Sequence, residues 1–108
     1  MIYVDVNVIY YYLTAHPGFG EKAKRYFEEL DDLCTLHALT KLRNIPEILE
    51  EIGITILPLT QEVLNFAMGF EKLRFEDAIH YATMKLNGID TILSNDSDFD
   101  KVDVKRIF

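Results

Sequence analysis

Among 108 residues the chain has a single cysteine, Cys34. An internal disulfide is therefore impossible, and cysteine-based metal fingers are excluded. That usage fits a reducing, cytoplasmic setting. No apolar run approaches the roughly 20 residues needed to span a bilayer. The opening MIYVDVNV has neither a basic flank nor a small-residue cleavage site, so no signal peptide is expected. Positive charge is also scarce. Eleven Lys and Arg stand against eighteen Asp and Glu, a net charge of -7. A general phosphate-binding surface needs clustered basic residues and is not expected. A nucleic-acid enzyme whose own site is a nest of carboxylates bridged by cations stays open, as does a basic partner chain. Repeats, low-complexity segments and interdomain linkers are absent, so residues 1–108 are expected to form one domain. A hydrophobic fraction of 49% is enough for an ordinary core.

The apolar pattern alternates between short runs and helical periods. Ile2–Val4 is β-rich and ends at Asp5. Asn7 can cap a helix with Ile9, Tyr10 and Leu13 on one side. His16–Gly20 reads as a loop. Over Glu21–Leu30, Ala23, Tyr26, Phe27 and Leu30 recur at helical spacing. Leu33–Thr35 reads as a short strand and Leu36–Arg43 as helical. Asn44, Pro46 and Glu47 mark a helix start, and Gly53 marks its end. Ile54–Leu57 is again β-rich. Thr60 caps a helix carrying Val63, Leu64, Ala67 and Phe70. Phe75–Leu86 is a helix closed by Asn87-Gly88. Thr91–Leu93 and Val104–Ile107 are further strands. Strands that are apolar throughout, interleaved with helices, predict an α/β fold: a three-layer α/β/α sandwich with a mainly parallel sheet.

In such sheets ligands bind beyond the carboxyl ends of strands. Asp5 and Asp96 both follow apolar strands, and neighbouring strands would bring them together. Asp77 falls in the first turn of a helix. From position alone Asp77 is equally read as a helix-dipole aspartate, and Asp96–Asp100 as an Asx-type turn. Asp5 is harder to dismiss, because a charge closing a buried strand is costly unless neutralised.

Three motifs carry a resemblance: Y-V-D-V-N-V-I, F-E-D-A-I-H-Y-A-T and I-L-S-N-D-S-D-F, in that order along nearly the whole chain. Together they resemble the motifs of PIN domains, including the VapC ribonuclease toxins. The resemblance implies a cleft of acidic residues that binds Mg2+ or Mn2+ and cleaves RNA. Asp5, Asp77 and Asp96 match the family's metal-binding aspartates. Asp98 matches a further acid, and Asn7 and Ser94 match the polar positions beside them. Related toxins dimerise and are silenced by an antitoxin. The chemistry suits these residue types, because divalent metals activate water and stabilise a departing alkoxide. Mg2+ prefers carboxylate and water oxygens.

One position departs from the pattern. Where the family places a glutamate, in the segment Leu33–Leu42, this chain has Lys41. The chain is also short, and the missing length falls between Leu42 and Ile54. Three aspartates with a glutamate would carry four negative charges, whereas three with Lys41 carry a net two, enough to balance one divalent ion. Lys41 then weakens metal binding if it points inward; pointing outward, it snorkels to solvent at a helix end. Glu47 could compensate, although its capping position already explains it. Glu76 points about 100° away from Asp77 on the helix. His37 and His80 lie on the helix faces of Lys41 and Asp77 and could ligate a softer metal, or be ordinary half-buried histidines. Tyr10, Tyr26 and Phe27 read as a core stripe, and the excess over Tyr10–Tyr12 and Phe19 as a subunit interface rather than an RNA-stacking surface.

Three functions follow: a divalent-metal-dependent endoribonuclease acting as the toxin of a toxin–antitoxin pair; a weakened PIN fold that serves as a binding module; and a haloacid-dehalogenase-like phosphatase. The last needs Asp-x-Asp, and Asn7 occupies the second position. Lys41→Glu is expected to bind Mn2+ more tightly than the parent chain in a titration; equal affinities would remove Lys41 from the site.

Overall fold

Four largely apolar runs and the segment Lys-Arg-Ile near the C-terminus become the five strands of one sheet. The computed structural model describes residues 1–36 and 45–108. The strands are β1 (Ile2–Val4), β2 (Leu33–Leu36), β3 (Ile54–Leu57), β4 (Thr91–Leu93) and β5 (Lys105–Ile107). They lie in the order β3-β2-β1-β4-β5, and every pairing is parallel. The central strand β1 is flanked by β2 and β4, so the strands that precede Asp5 and Asp96 are neighbours, as expected from the sequence.

Helices cover both faces: α1 (Val6–Leu13), α2 (Gly20–Glu29), α3 (Ile45–Ile52), α4 (Gln61–Met68) and α5 (Phe75–Leu86). The period-2 alternation of each strand distributes its side chains between two cores. Tyr3, Cys34, Leu36 and Ile92 face one cluster with Val63 and Ala67 of α4 and Ala78, Tyr81 and Ala82 of α5. Val4, Leu33, Ile54 and Leu93 face the other, with Val8 and Ile9 of α1, Ala23 and Phe27 of α2 and Leu49 of α3. This is the α/β/α sandwich expected from the strand composition. Among the described residues no helix is long and apolar enough to cross a membrane.

Local chemistry explains most boundaries. Thr60 Oγ1 accepts from the Val63 amide at 3.2 Å and starts α4. Gly53 after α3 and Gly88 after α5 have φ of +89° and +67°, the left-handed region that favours glycine at a helix end. Three expectations need correction. The cap of α1 is Asp5, not Asn7, because the Asp5 carboxylate accepts from the Asn7 amide and α1 begins two residues earlier. Leu36 ends β2, pairing with Leu57, instead of opening a helix; the rest of the helix expected over Leu36–Arg43, with the Asn44 cap, lies outside the described residues. Tyr10 is 58% exposed and not part of the core stripe, since Val8 and Ile9 occupy the buried face of α1.

The other aromatics fill an internal cluster. Tyr11 contacts His16, Phe19 and Phe108 with ring centroids 5.0, 5.1 and 6.0 Å away. Tyr26 stacks on Phe108 at 5.6 Å, and Tyr12 meets Phe27 edge-on at 5.3 Å. Tyr11, Tyr12 and Phe19 therefore pack within the chain instead of standing as an exposed excess.

A 3-10 turn over Ser97–Lys101 follows β4 and is pinned by Phe99, which is fully buried. Phe99→Ala is expected to cost about 3–5 kcal/mol, the range for removing a buried aromatic ring. Urea unfolding monitored by circular dichroism measures it; a loss below about 1 kcal/mol would show that Phe99 is not the anchor of this turn.

Candidate active site

Asp5 sits at the carboxyl end of β1 and is 5% exposed. Its amide donates to the Leu93 carbonyl at 2.9 Å. One carboxylate oxygen accepts from the Asn7 amide at 3.2 Å, and the other from the Ser94 hydroxyl at 2.6 Å. Ser94 is fully buried, just beyond β4. Its Oγ also accepts from the Asp96 amide at 3.0 Å. Asp96 in turn accepts from the Asp98 amide at 2.9 Å and caps the 3-10 turn. The Asx turn that position suggested is real. A relay thus runs from Asp5 to Ser94 by a side-chain bond, and on to Asp96 and Asp98 by side-chain-to-backbone bonds.

Asp77 approaches from α5. Residues 74–77 form the start of that helix, with Glu76 and Asp77 in its first turn. One carboxylate oxygen each from Asp77, Asp96 and Asp98 lies within 4.8 Å of the others. The sheet end and the start of α5 therefore converge three acids, with Asp5 behind them. Asn7 lies exposed in the first turn of α1, contributing its amide to Asp5. His80 is not in the cluster; its Nδ1 lies 2.5 Å from the Tyr3 hydroxyl. Lys41 and His37 lie outside the described residues. Glu47 is exposed on α3.

The electrostatics are strained. Burial and then the repulsion of Asp96, Asp5 and Asp98 push the Asp77 carboxyl from 3.8 to about 6, with Arg74 partly offsetting them. Unit charges this close repel by a few kcal/mol at an effective dielectric of about 20. Among the described residues, nearby cations do little to relieve it. Lys101 pairs with Asp98 at 3.1 Å, but the pair is solvated and weak. Arg106 is held by Asp100, with Nε and Nη2 at 2.9 and 3.0 Å from its two oxygens, while Nη1 reaches the Ser94 carbonyl at 3.4 Å. Asp100 is accordingly a surface partner of Arg106 and stands apart from the cluster. Clustered carboxylate oxygens that repel one another are the donor set that hard divalent cations such as Mg2+ and Mn2+ prefer.

Sequence reasoning missed two contacts here. Arg106 lies in β5 with no motif around it. The Tyr3–His80 bond joins residues 77 positions apart, and only the sheet topology brings them together.

In a parallel α/β sandwich ligands bind beyond the carboxyl ends of the strands, where these acids gather. The family model described as "PIN domain" matches residues 36–105, and the chain belongs to that family. Asp77, Ser94, Asp96 and Asp98 fall within the match, and Asp5 precedes it. No curated protein sequence matches the chain. Solved structures with the same fold include the Mycobacterium tuberculosis toxin VapC20, described as cleaving the sarcin-ricin loop. It is 18% identical with a TM-score of 0.74, covering 97% of this chain and 99% of that one. FitAcB from Neisseria gonorrhoeae is 21% identical with a TM-score of 0.68, over 100% and 97%. A toxin–antitoxin complex from Klebsiella pneumoniae is 16% identical with a TM-score of 0.68, over 92% and 90%. At these identities the likeness is one of fold.

The raised Asp77 has a measurable consequence. An acid whose value rises from 3.8 to about 6 on folding binds its proton more tightly folded than unfolded. Stability therefore falls as pH rises between those values, and the loss is complete above them. Asp77→Asn is expected to raise Tm by a few degrees at pH about 7.5 in chelator, and progressively less as pH falls toward 4. A Tm at or below that of the parent at neutral pH would contradict the strain.

Proposed function

We propose that this protein is a divalent-metal-dependent endoribonuclease of the PIN type and the toxin of a toxin–antitoxin pair. The convergence of Asp77, Asp96 and Asp98 within 4.8 Å, at the strand ends where Asp5 also sits, carries the reading. Membership of the PIN family and the fold shared with VapC20 support it. In this reading Asp5, Asp77, Asp96 and Asp98 hold Mg2+ or Mn2+, which when bound lowers the pKa of water and screens the charge of the departing oxygen. The protein's own groups prepare that site. Ser94 donates to Asp5 and orients its buried carboxylate. The Asp96 and Asp98 amides, tied into the turn, fix the two flexible acids. Asn7 and Arg74 border the site, and Arg74 offers a positive charge to a phosphate of single-stranded RNA.

The partner in this reading is an antitoxin protein, as in the Klebsiella pneumoniae toxin–antitoxin complex with which the fold is shared. The exposed Tyr10, Phe66 and Met68 offer apolar surface for it or for a second copy in a homodimer. The alternative, a PIN fold kept for binding, rests on Lys41 where the family has a glutamate.

Asp5→Asn and Asp96→Asn are each expected to abolish Mg2+- or Mn2+-dependent cleavage of RNA by the purified protein. Undiminished cleavage by both variants would sink the nuclease reading. No turnover by the parent on several RNAs with Mn2+, together with tight capture of a single protein partner, would favour the binding module.

A further inference from the structure

Behind the carboxylates lies a polar pair that the proposed chemistry does not use. Tyr3 is fully buried and His80 is 6% exposed. The Tyr3 hydroxyl and His80 Nδ1 are 2.5 Å apart, and the rings meet edge-on with centroids 5.5 Å apart. Burial lowers the His80 imidazole below its ordinary value, against the pull of Asp5 and Glu76, and holds the Tyr3 phenol well above its own. The hydroxyl and Nδ1 share one hydrogen, and the imidazole tautomer sets which of the two donates.

The location of this bond matters more than its strength. Tyr3 stands two residues before Asp5 on β1, and His80 stands three after Asp77 on α5. Among the described residues it is the one side-chain hydrogen bond between these two elements. The remaining buried contacts of α5 include Ala78, Ala82 and Met84, all fully buried. Tyr81 and Lys85 bond Asp103, which lies ahead of β5 and not on β1. Apolar contacts attract without direction, so they set the distance between helix and sheet but hold axial position more weakly than a directional bond. A hydrogen bond is directional and short-ranged. A slip of one residue along a helix moves a side chain by about 1.5 Å, whereas a working metal site tolerates displacements of about 0.5 Å.

Resting on the proposed metal site, we infer that the buried Tyr3–His80 hydrogen bond locks the register of α5 against β1 and so sets the spacing between Asp5 and Asp77. Tyr3 and His80 are positioning residues: neither touches metal or RNA, and each acts through the carboxylate next to it in the chain. Losing either partner relaxes α5 and spoils the geometry for the cation. The metal-dependent step then suffers, while contacts with the rest of the RNA do not.

The test pairs Mn2+ calorimetry without RNA with crystal structures grown in chelator, for the parent, Tyr3→Phe, His80→Leu, the double variant and His80→Asn. Tyr3→Phe and His80→Leu are each expected to weaken Mn2+ binding about tenfold or more, the usual cost of losing a group that orients a ligand. The double variant should be no worse than either single change. His80→Asn, whose amide oxygen can accept from Tyr3, should restore most of the affinity. The chelated structures should show α5 displaced along β1 in the first two variants, and RNA cleavage should lose kcat with KM little changed. A fall in Tm with unchanged Mn2+ affinity and an unmoved α5 would overturn the inference and leave the nuclease reading standing. A parent that binds no Mn2+ would overturn the metal site itself, and the position of α5 in chelator would still decide the register.

Discussion

Asp5 is a carboxylate in a place where an unpaired charge is costly, and the surrounding structure is arranged to satisfy it. Burial without partners costs several kcal/mol for an ion. The Asn7 amide and the Ser94 hydroxyl take one oxygen each, and the backbone amide of Asp5 continues the β1–β4 ladder to Leu93. These contacts begin α1, join the central strand to its neighbour and place Ser94. Ser94 then orders the following turn through Asp96 and Asp98. A carboxylate has about four acceptor sites, so Asp5 can still meet a cation after these bonds. Its first effect, however, is structural: it ties the two strand ends into one platform.

Upon that platform the chain gathers more negative charge than it neutralises. Asp77, Asp96 and Asp98 converge, and among the described residues the cations within reach are engaged elsewhere or solvated. Arg106 forks onto Asp100, and Lys101 makes a solvated pair with Asp98. The repulsion falls on Asp77, whose carboxyl rises to about 6. This is a local cost in a fold that is otherwise consistent, with two apolar cores and no orphaned polar side-chain atom among the described residues. Such conflicts between local electrostatics and global packing concentrate where a protein functions.

Much of this was legible in the sequence because it is local. Apolar runs ending in Asp5 and Asp96 mark strand ends. Asp77 announces a first helical turn, and Gly53 and Gly88 close their helices. What escaped depends on distance along the chain. The β-rich start ending at Asp5 does not reveal that Asp5, rather than Asn7, caps α1, because a residue that ends a strand and starts a helix satisfies both patterns. Tyr11 and Phe19 read as exposed excess until Phe108 arrives from the other end of the chain to cover them. The same holds for Tyr3 and His80: neither Y-V-D nor D-A-I-H says that the two rings meet. Periodicity assigns a residue to a face and leaves its partner across the sheet unknown.

The acidic balance also bears on how a polyanion could approach. A chain of net charge -7 gains little from long-range attraction to RNA. In the proposed nuclease the attraction must be local and conditional. Cations held among the four aspartates would reverse the sign of the site where the scissile phosphate lies, leaving the rest of the surface repulsive. Arg74 beside Asp77 supplies one fixed positive charge at that rim. Binding would then favour a short stretch of RNA at the metal over extended backbone contact. Specificity for a larger RNA would have to come from shape or from a partner. In that proposed nuclease the -7 charge and the carboxylate cluster would be two aspects of one arrangement, in which metal occupancy would decide whether the surface accepts or rejects RNA.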